Sequence, residues 1–173
     1  MKIKHPKIWI GSLISLVVMI LLLTFLSHCD KPIEYKAPEL AEKALYASVD
    51  RPETVEIINF SKADSIFGRN YVNEDEKVEI AMILMKAGQK LMPDSLDFDD
   101  PRFSELVDRQ MKASTVLRTL MTPNEPTQNH TGWRVKIEYK ARTKSDMPYH
   151  AEMWFILDKD ADCVLNTFEI PLP

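Results

Sequence analysis

One stretch limits the possible folds of this chain more than any other. From Trp133 to Arg142 it reads Trp-Arg-Val-Lys-Ile-Glu-Tyr-Lys-Ala-Arg, an unbroken alternation of apolar and charged residues. Successive side chains of a strand point to opposite faces. Trp133, Val135, Ile137, Tyr139 and Ala141 therefore share one face, and Arg134, Lys136, Glu138, Lys140 and Arg142 share the other. A lone strand cannot bury its apolar face, so the chain must build a sheet around this one. The material is at hand. Thr143 to Pro148 makes a turn, and Tyr149 to Leu157 makes a second strand. Met153 to Leu157 is apolar on both faces, which suits an interior position. Asp158 to Asp162 turns again, and Cys163 to Ile170 gives a last strand before Pro171 and Pro173 end the pairing.

Upstream the period changes to three-to-four. Pro38 suits a first helical residue, with Glu39 favourable in the first turn. Leu40, Ala44, Leu45 and Ser48/Val49 carry a helix to about Val49, and Asp50-Arg51-Pro52 breaks it. Thr54 to Phe60 is β-branched and partly alternating, a strand. Ser61 to Asn70, with Gly68, is a loop or a short second strand. Asn73 and Glu76 have capping-box spacing, which satisfies two otherwise orphaned backbone donors at a helix start. Val78, Ala81, Met82, Met85, Gly88/Gln89 and Met92 then trace an expected buried face, and Pro93 stops it. Methionines at this spacing read as core filling rather than as soft-metal ligands. Asp99 or Asp100 with Pro101 opens a further helix, whose stripe is Phe103, Leu106/Val107, Gln110/Met111, Ser114, Leu117 and Leu120/Met121. Pro123 to Gly132 is a polar loop.

The order is helix, strand, two long helices, then a three-stranded antiparallel meander. This is α+β, with helices expected on one face of an antiparallel sheet. By element order alone, over residues 38–170, it resembles the cystatin-like and NTF2-like folds, in which a curved sheet wraps around helices. That resemblance implies an architecture and no particular activity.

The N-terminus sets the compartment. Lys2, Lys4 and Lys7 precede an uncharged, mostly apolar run from Ile8 to Leu26. Clustered lysines stay cytoplasmic, which sends the rest of the chain out of the cytoplasm. Leu26-Ser27-His28-Cys29 resembles a bacterial lipobox, with His28 where a small residue is usual. The resemblance implies cleavage before Cys29 and lipid on its thiol. Alternatively Ile8 to Ser27, about the 20 residues a spanning helix needs, is retained as a signal-anchor. The organisation is thus residues 1–29 as signal peptide or anchor, 30–37 as a tether, and 38–173 as one α+β domain. Removing the three leader lysines takes the formal charge from −4 to −7, which argues against a nucleic-acid partner. With Cys29 lipidated, Cys163 stands alone and no intramolecular disulfide forms. Its place near a strand suggests a small, half-buried residue.

Few residues suggest chemistry. Asp158, Asp160 and Asp162, with Asn166 and Glu169, follow calcium-loop spacing. Cys163 stands where the loop needs glycine, and Pro171 forbids an exit helix, so a hairpin turn fits better. Asp94, Asp97, Asp99 and Asp100 read as a solvated interhelical loop. His130 and His150 lie in or beside turns with no nucleophile motif near them. No phosphate loop, zinc motif or hydrolase elbow occurs. Arg134, Lys136, Lys140 and Arg142 form the one basic face of an acidic domain. They are a candidate partner surface, or a solvent-facing strand whose charges discourage aggregation. Trp133 and Trp154 read as core. Asp64-Ser65-Ile66 and Asp94-Ser95-Leu96 resemble the O-glycosylation motif of some bacterial periplasms, and Asn129-His130-Thr131 is a eukaryotic-type sequon.

These features point to an envelope lipoprotein, membrane-attached with its domain in the periplasm or at the cell surface. Its expected role is a non-catalytic binding or assembly module that uses no cofactor. Two alternatives stand beside it: a bitopic subunit of an envelope complex, and a small enzyme or ligand-binding protein with an NTF2-like pocket.

Overall fold

A computed structural model describes residues 31–91, 101–122 and 128–173, and Ile33–Pro173 form one compact unit. The elements are α1 (Ile33–Ser48), a 3-10 turn (Pro52–Thr54), β1 (Glu56–Phe60) and β2 (Asp64–Phe67). They continue with α2 (Glu74–Lys90), α3 (Pro101–Leu120), β3 (His130–Arg142), β4 (Pro148–Leu157) and β5 (Val164–Pro171). The leader with Cys29, and the Asp94–Asp100 cluster with Met92, lie outside the described residues. Among the described residues no helix is long and apolar enough to cross a membrane.

The fold is α+β with an antiparallel five-stranded sheet. β3 lies in its interior. β4 pairs with one edge of β3 through the expected hairpin, and β5 pairs with β4. The other edge of β3 is shared: β1 takes its C-terminal half (Glu56 opposite Lys140) and β2 its N-terminal half (Asp64 opposite Arg134). Ser61 bridges the two short strands by bonding Lys136 from both its N–H and its hydroxyl. On the other edge Gly132 lets β3 approach the end of β4 closely, since a Cβ there would lie 2.0 Å from the Leu157 carbonyl oxygen.

The helices divide between two faces, where the sequence pattern suggested one. Ala37, Ala41 and Leu45 of α1 pack on Val135, Ile137, Tyr139, Ala151, Met153 and Phe155. On the opposite face Ile80 and Leu84 of α2 and Ala113 of α3 pack on Trp154, Ile156, Phe168 and Ile170. The apolar run Met153–Leu157 is buried throughout because β4 feeds both cores.

Three elements depart from expectation. α1 starts at Ile33, so Pro38 sits inside the helix and residues 33–37 of the expected tether are helical. The missing Pro38 donor is offset because Ala37 is fully buried, Ile33 packs on the core and Lys36 pairs with Asp162 at 2.5 Å. In α2 the buried residues are Lys77, Ile80, Leu84 and Ala87, whereas Val78, Met82 and Met85 are exposed. The capping box itself forms as its spacing predicts. It also fixes the rotation of the helix. Glu76 bonds Arg134 beneath it, which turns positions 76, 80, 84 and 87 inward and leaves the methionine stripe outward. In α3, Ala113 rather than Ser114 or Met111 fills the core.

Candidate functional site

The basic strand face is not a free surface. Because β3 is interior and α2 covers it, Arg134 and Lys136 are mostly buried. Their side chains pass over the Trp154 ring, at 5.0 and 4.5 Å from its centroid, and Trp154 stacks on Phe168. Arg134 Nη1 donates to Glu76 Oε2 at 2.7 Å and to the Tyr71 carbonyl, and its Nη2 reaches Asp64 at 3.2 Å. Burial opposes ionisation of Glu76. The Asn73 N–H, Arg134 and Lys136 outweigh it and hold the carboxyl below its ordinary value. Only Lys140 and Arg142 reach solvent, beyond the helix, and Arg142 pairs with Asp146 at 3.0 Å.

The acidic turn is likewise self-satisfied. Asp158 Oδ1 accepts the Asp162 and Cys163 N–H groups at 2.7 and 3.0 Å, while Ala161 takes the left-handed conformation at φ 51°. Those N–H bonds, the Cys163 one foremost, lower the Asp158 pKa. Glu169 belongs to another site, bonded to Arg109 and Tyr139, so the calcium spacing does not bring its residues together. Among the described residues no cluster of His, Cys, Asp and Glu can hold a metal ion. Cys163 is exposed rather than half-buried, and desolvation together with the Asp158 carboxylate raises its pKa, the reverse of an activated thiol. His130 lies edge-on between the Phe67 and Trp133 rings.

A cleft of about 930 Å³ opens at the sheet end formed by Glu56, Lys140 and His150. The last turn of α2 (Ala87, Lys90) and Leu106, Arg109 and Gln110 of α3 wall it opposite the strands. One wall is an interlocked polar group. Arg109 Nη1 donates to both Glu169 oxygens at 2.9 Å, and its Nη2 donates to Asp50 at 2.9 Å. The guanidinium lies 3.9 Å from the Tyr149 ring centroid, and Tyr139 Oη donates to Glu169 at 2.7 Å. Burial tends to lower the Arg109 pKa, but the Glu169 charge more than compensates and raises it. Burial and the same carboxylate push Tyr139 far above its ordinary value, and burial raises Tyr149. On the cleft floor His150 Nε2 lies 2.9 Å from Glu138 Oε1. Gln110 Nε2 donates to the Leu84 carbonyl at 2.6 Å, leaving its Oε1 without a partner.

Sequence reasoning found Lys140 and Arg142 here and missed Arg109, Tyr139, Tyr149, Glu138 and Gln110. Nothing local marks them, because the group forms only when the first half of α3 meets the β3–β4 hairpin and β5. The arrangement can present a mixed apolar and hydrogen-bonding surface with the ammonium groups of Lys90 and Lys140, which have no ion-pair partner among the described residues. The Thr54 hydroxyl at its edge is engaged, donating to the Arg51 carbonyl and accepting the Arg142 N–H. No family model, no curated protein and no solved structure matches the chain.

Proposed function

We propose that the chain is a membrane-attached envelope protein whose exported α+β domain binds a ligand or partner protein in the cleft without transforming it. The observation that carries this reading is the internal pairing of the cleft's chemistry. Arg109 is held by Glu169 and Asp50, His150 by Glu138, and the Thr54 hydroxyl by backbone groups. Such a wall is rigid and shaped, as binding requires, and among the described residues its arginine, histidine and threonine are already engaged by neighbours rather than poised for turnover. The lysine-flanked apolar leader and the lipobox-like Leu26–Cys29 support the attachment. A bitopic subunit of an envelope complex is the second reading, favoured by the length of the apolar run.

The test is site-specific photocrosslinking in intact membranes from Ile58 in the cleft and from Met82 on the outer face of α2. The reading expects a defined adduct from Ile58 that Lys90→Trp, on the exposed cleft wall, abolishes. Equal adducts from both positions, or an Ile58 adduct indifferent to Lys90→Trp, would overturn it. Mass spectrometry of the mature N-terminus separates the two forms of attachment: acylated Cys29, or an intact leader.

A further inference from the structure

The two ends of the sheet differ in character. At one end, around the cleft, β3 finishes, β4 begins and β5 runs out to the C-terminus, and Arg51, Glu53, Lys140, Arg142, Lys144 and Asp146 give a charged rim. At the other end β2 finishes at Phe67, β3 begins, β4 finishes at Leu157 and β5 begins. That end exposes large apolar side chains: Tyr35 at 68%, Phe67 at 46%, Met121 at 52% and Leu165 at 58%. Half-buried Trp133 sits among them, its indole N–H donated to the Lys159 carbonyl at 2.8 Å. A row of aromatic and aliphatic tips beside lysines is the composition of a surface that meets a membrane interface.

The tether decides which surface that is. α1 starts at Ile33, and its first turns lie against this same end: Ile33 packs on the core cluster that includes Leu157 and Ala161, and Lys36 pairs with Asp162 in the turn before β5. Cys29 and Ile33 are separated by four Cα steps, which extended chain spans in about 14 Å at most. If the apolar run is instead retained to Ser27, the reach grows to about 20 Å. β4 alone spans about 33 Å at the usual rise per strand residue, so the far end stands beyond either reach.

We infer that the end carrying Tyr35, Phe67, Trp133 and Leu165 docks on the lipid surface to which the protein is attached, so that the cleft opens away from the membrane. This rests on the membrane attachment proposed above and adds an orientation and a contact to it. The charges at this end are mixed, with Lys36 and Lys159 beside Asp160 and Asp162. Apolar insertion rather than attraction to anionic headgroups therefore supplies the contact, and it persists on zwitterionic lipid and in high salt.

The experiment uses full-length protein with Trp9→Phe, purified from membranes and reconstituted in phosphatidylcholine vesicles whose acyl chains are brominated close to the headgroups. Bromine quenches indoles only at short range, and buried Trp154 provides the unquenched background. Emission is expected to fall relative to unbrominated vesicles, and Trp133→Phe to abolish that fall. In the Trp9→Phe, Trp133→Phe background, Leu165→Trp restores the quenching and Lys144→Trp, on the far rim, does not. Protein that floats with the vesicles yet shows no quenching at Trp133 or at Leu165→Trp, or quenching equal to that at Lys144→Trp, overturns the docking alone. Protein that fails to float overturns the attachment and the docking with it.

Discussion

Replacing Glu76 tests the core of the structural argument, because one carboxylate closes the α2 cap and neutralises the buried side of β3. The Glu76 and Arg134 side chains are only 15% and 13% exposed, and their contact is 2.7 Å. Glu76→Ala leaves the guanidinium under α2 with the Tyr71 carbonyl and a longer contact to exposed Asp64. Breaking a largely buried pair costs about 3 kcal/mol, and the lost half of the capping box adds about 1 kcal/mol. Against a domain stability of about 5–15 kcal/mol, this is a large fraction. Glu76→Gln keeps an acceptor for the Asn73 N–H and loses only the charge, so about 2 kcal/mol is expected. Urea denaturation followed by circular dichroism reads both. A double-mutant cycle with Arg134→Met should return a coupling of about 2 kcal/mol. The pH dependence fixes the sign. The folded Glu76 carboxyl titrates below its ordinary value of 4.5, so its stabilisation is complete above that value and is lost as pH falls through the lower folded pKa. The Glu76→Gln penalty should be flat from pH 6 to 8 and shrink below about 4.5. A Glu76→Ala loss below about 1 kcal/mol, or a penalty that grows on acidification, would refute the reasoning.

Three further outcomes follow from particular contacts. Met82→Ala and Met85→Ala should each change stability by less than about 0.5 kcal/mol, whereas Leu84→Ala should cost about 2–5 kcal/mol; thermal melts that reverse this order would place α2 in the other rotation. Gly132→Ala drives a methyl into the Leu157 carbonyl, backbone against backbone, and should destabilise by about 3 kcal/mol, checked by the urea midpoint. Cys29→Ala should release the protein from sedimented membranes if acylation holds it and leave fractionation unchanged if the apolar run spans.

The strands were legible because their signals are local. Alternation over Trp133–Arg142 and the doubly apolar Met153–Leu157 each encode an environment in consecutive residues, and both elements formed as read. The Asn73–Glu76 cap was legible for the same reason. The buried stripe of α2 was not. Its sequence Val-Glu-Ile-Ala-Met-Ile-Leu-Met is apolar around most of the helix, so two rotations satisfy a three-to-four period equally. A contact 58 residues away in sequence, Arg134 to Glu76, chose between them.

The same division holds for the candidate site. Sequence alone determined the α+β class, the antiparallel meander, the acidity of the chain beyond Cys29 and the apolar run Ile8–Leu26, since composition and short-range periodicity fix these. Only the tertiary structure decided that the charged face of β3 is roofed by α2, because alternation shows that two faces differ and not whether the polar one meets water. Only it joined Arg109, Glu169, Tyr139 and Tyr149, drawn from α3 and three strands, into one wall. The position of α1 was also decided there. Packing of Ile33 and Ala37 outweighs the proline signal and draws the start of the domain to within a few residues of Cys29. Long-range burial, which no window of the sequence contains, made each of those choices.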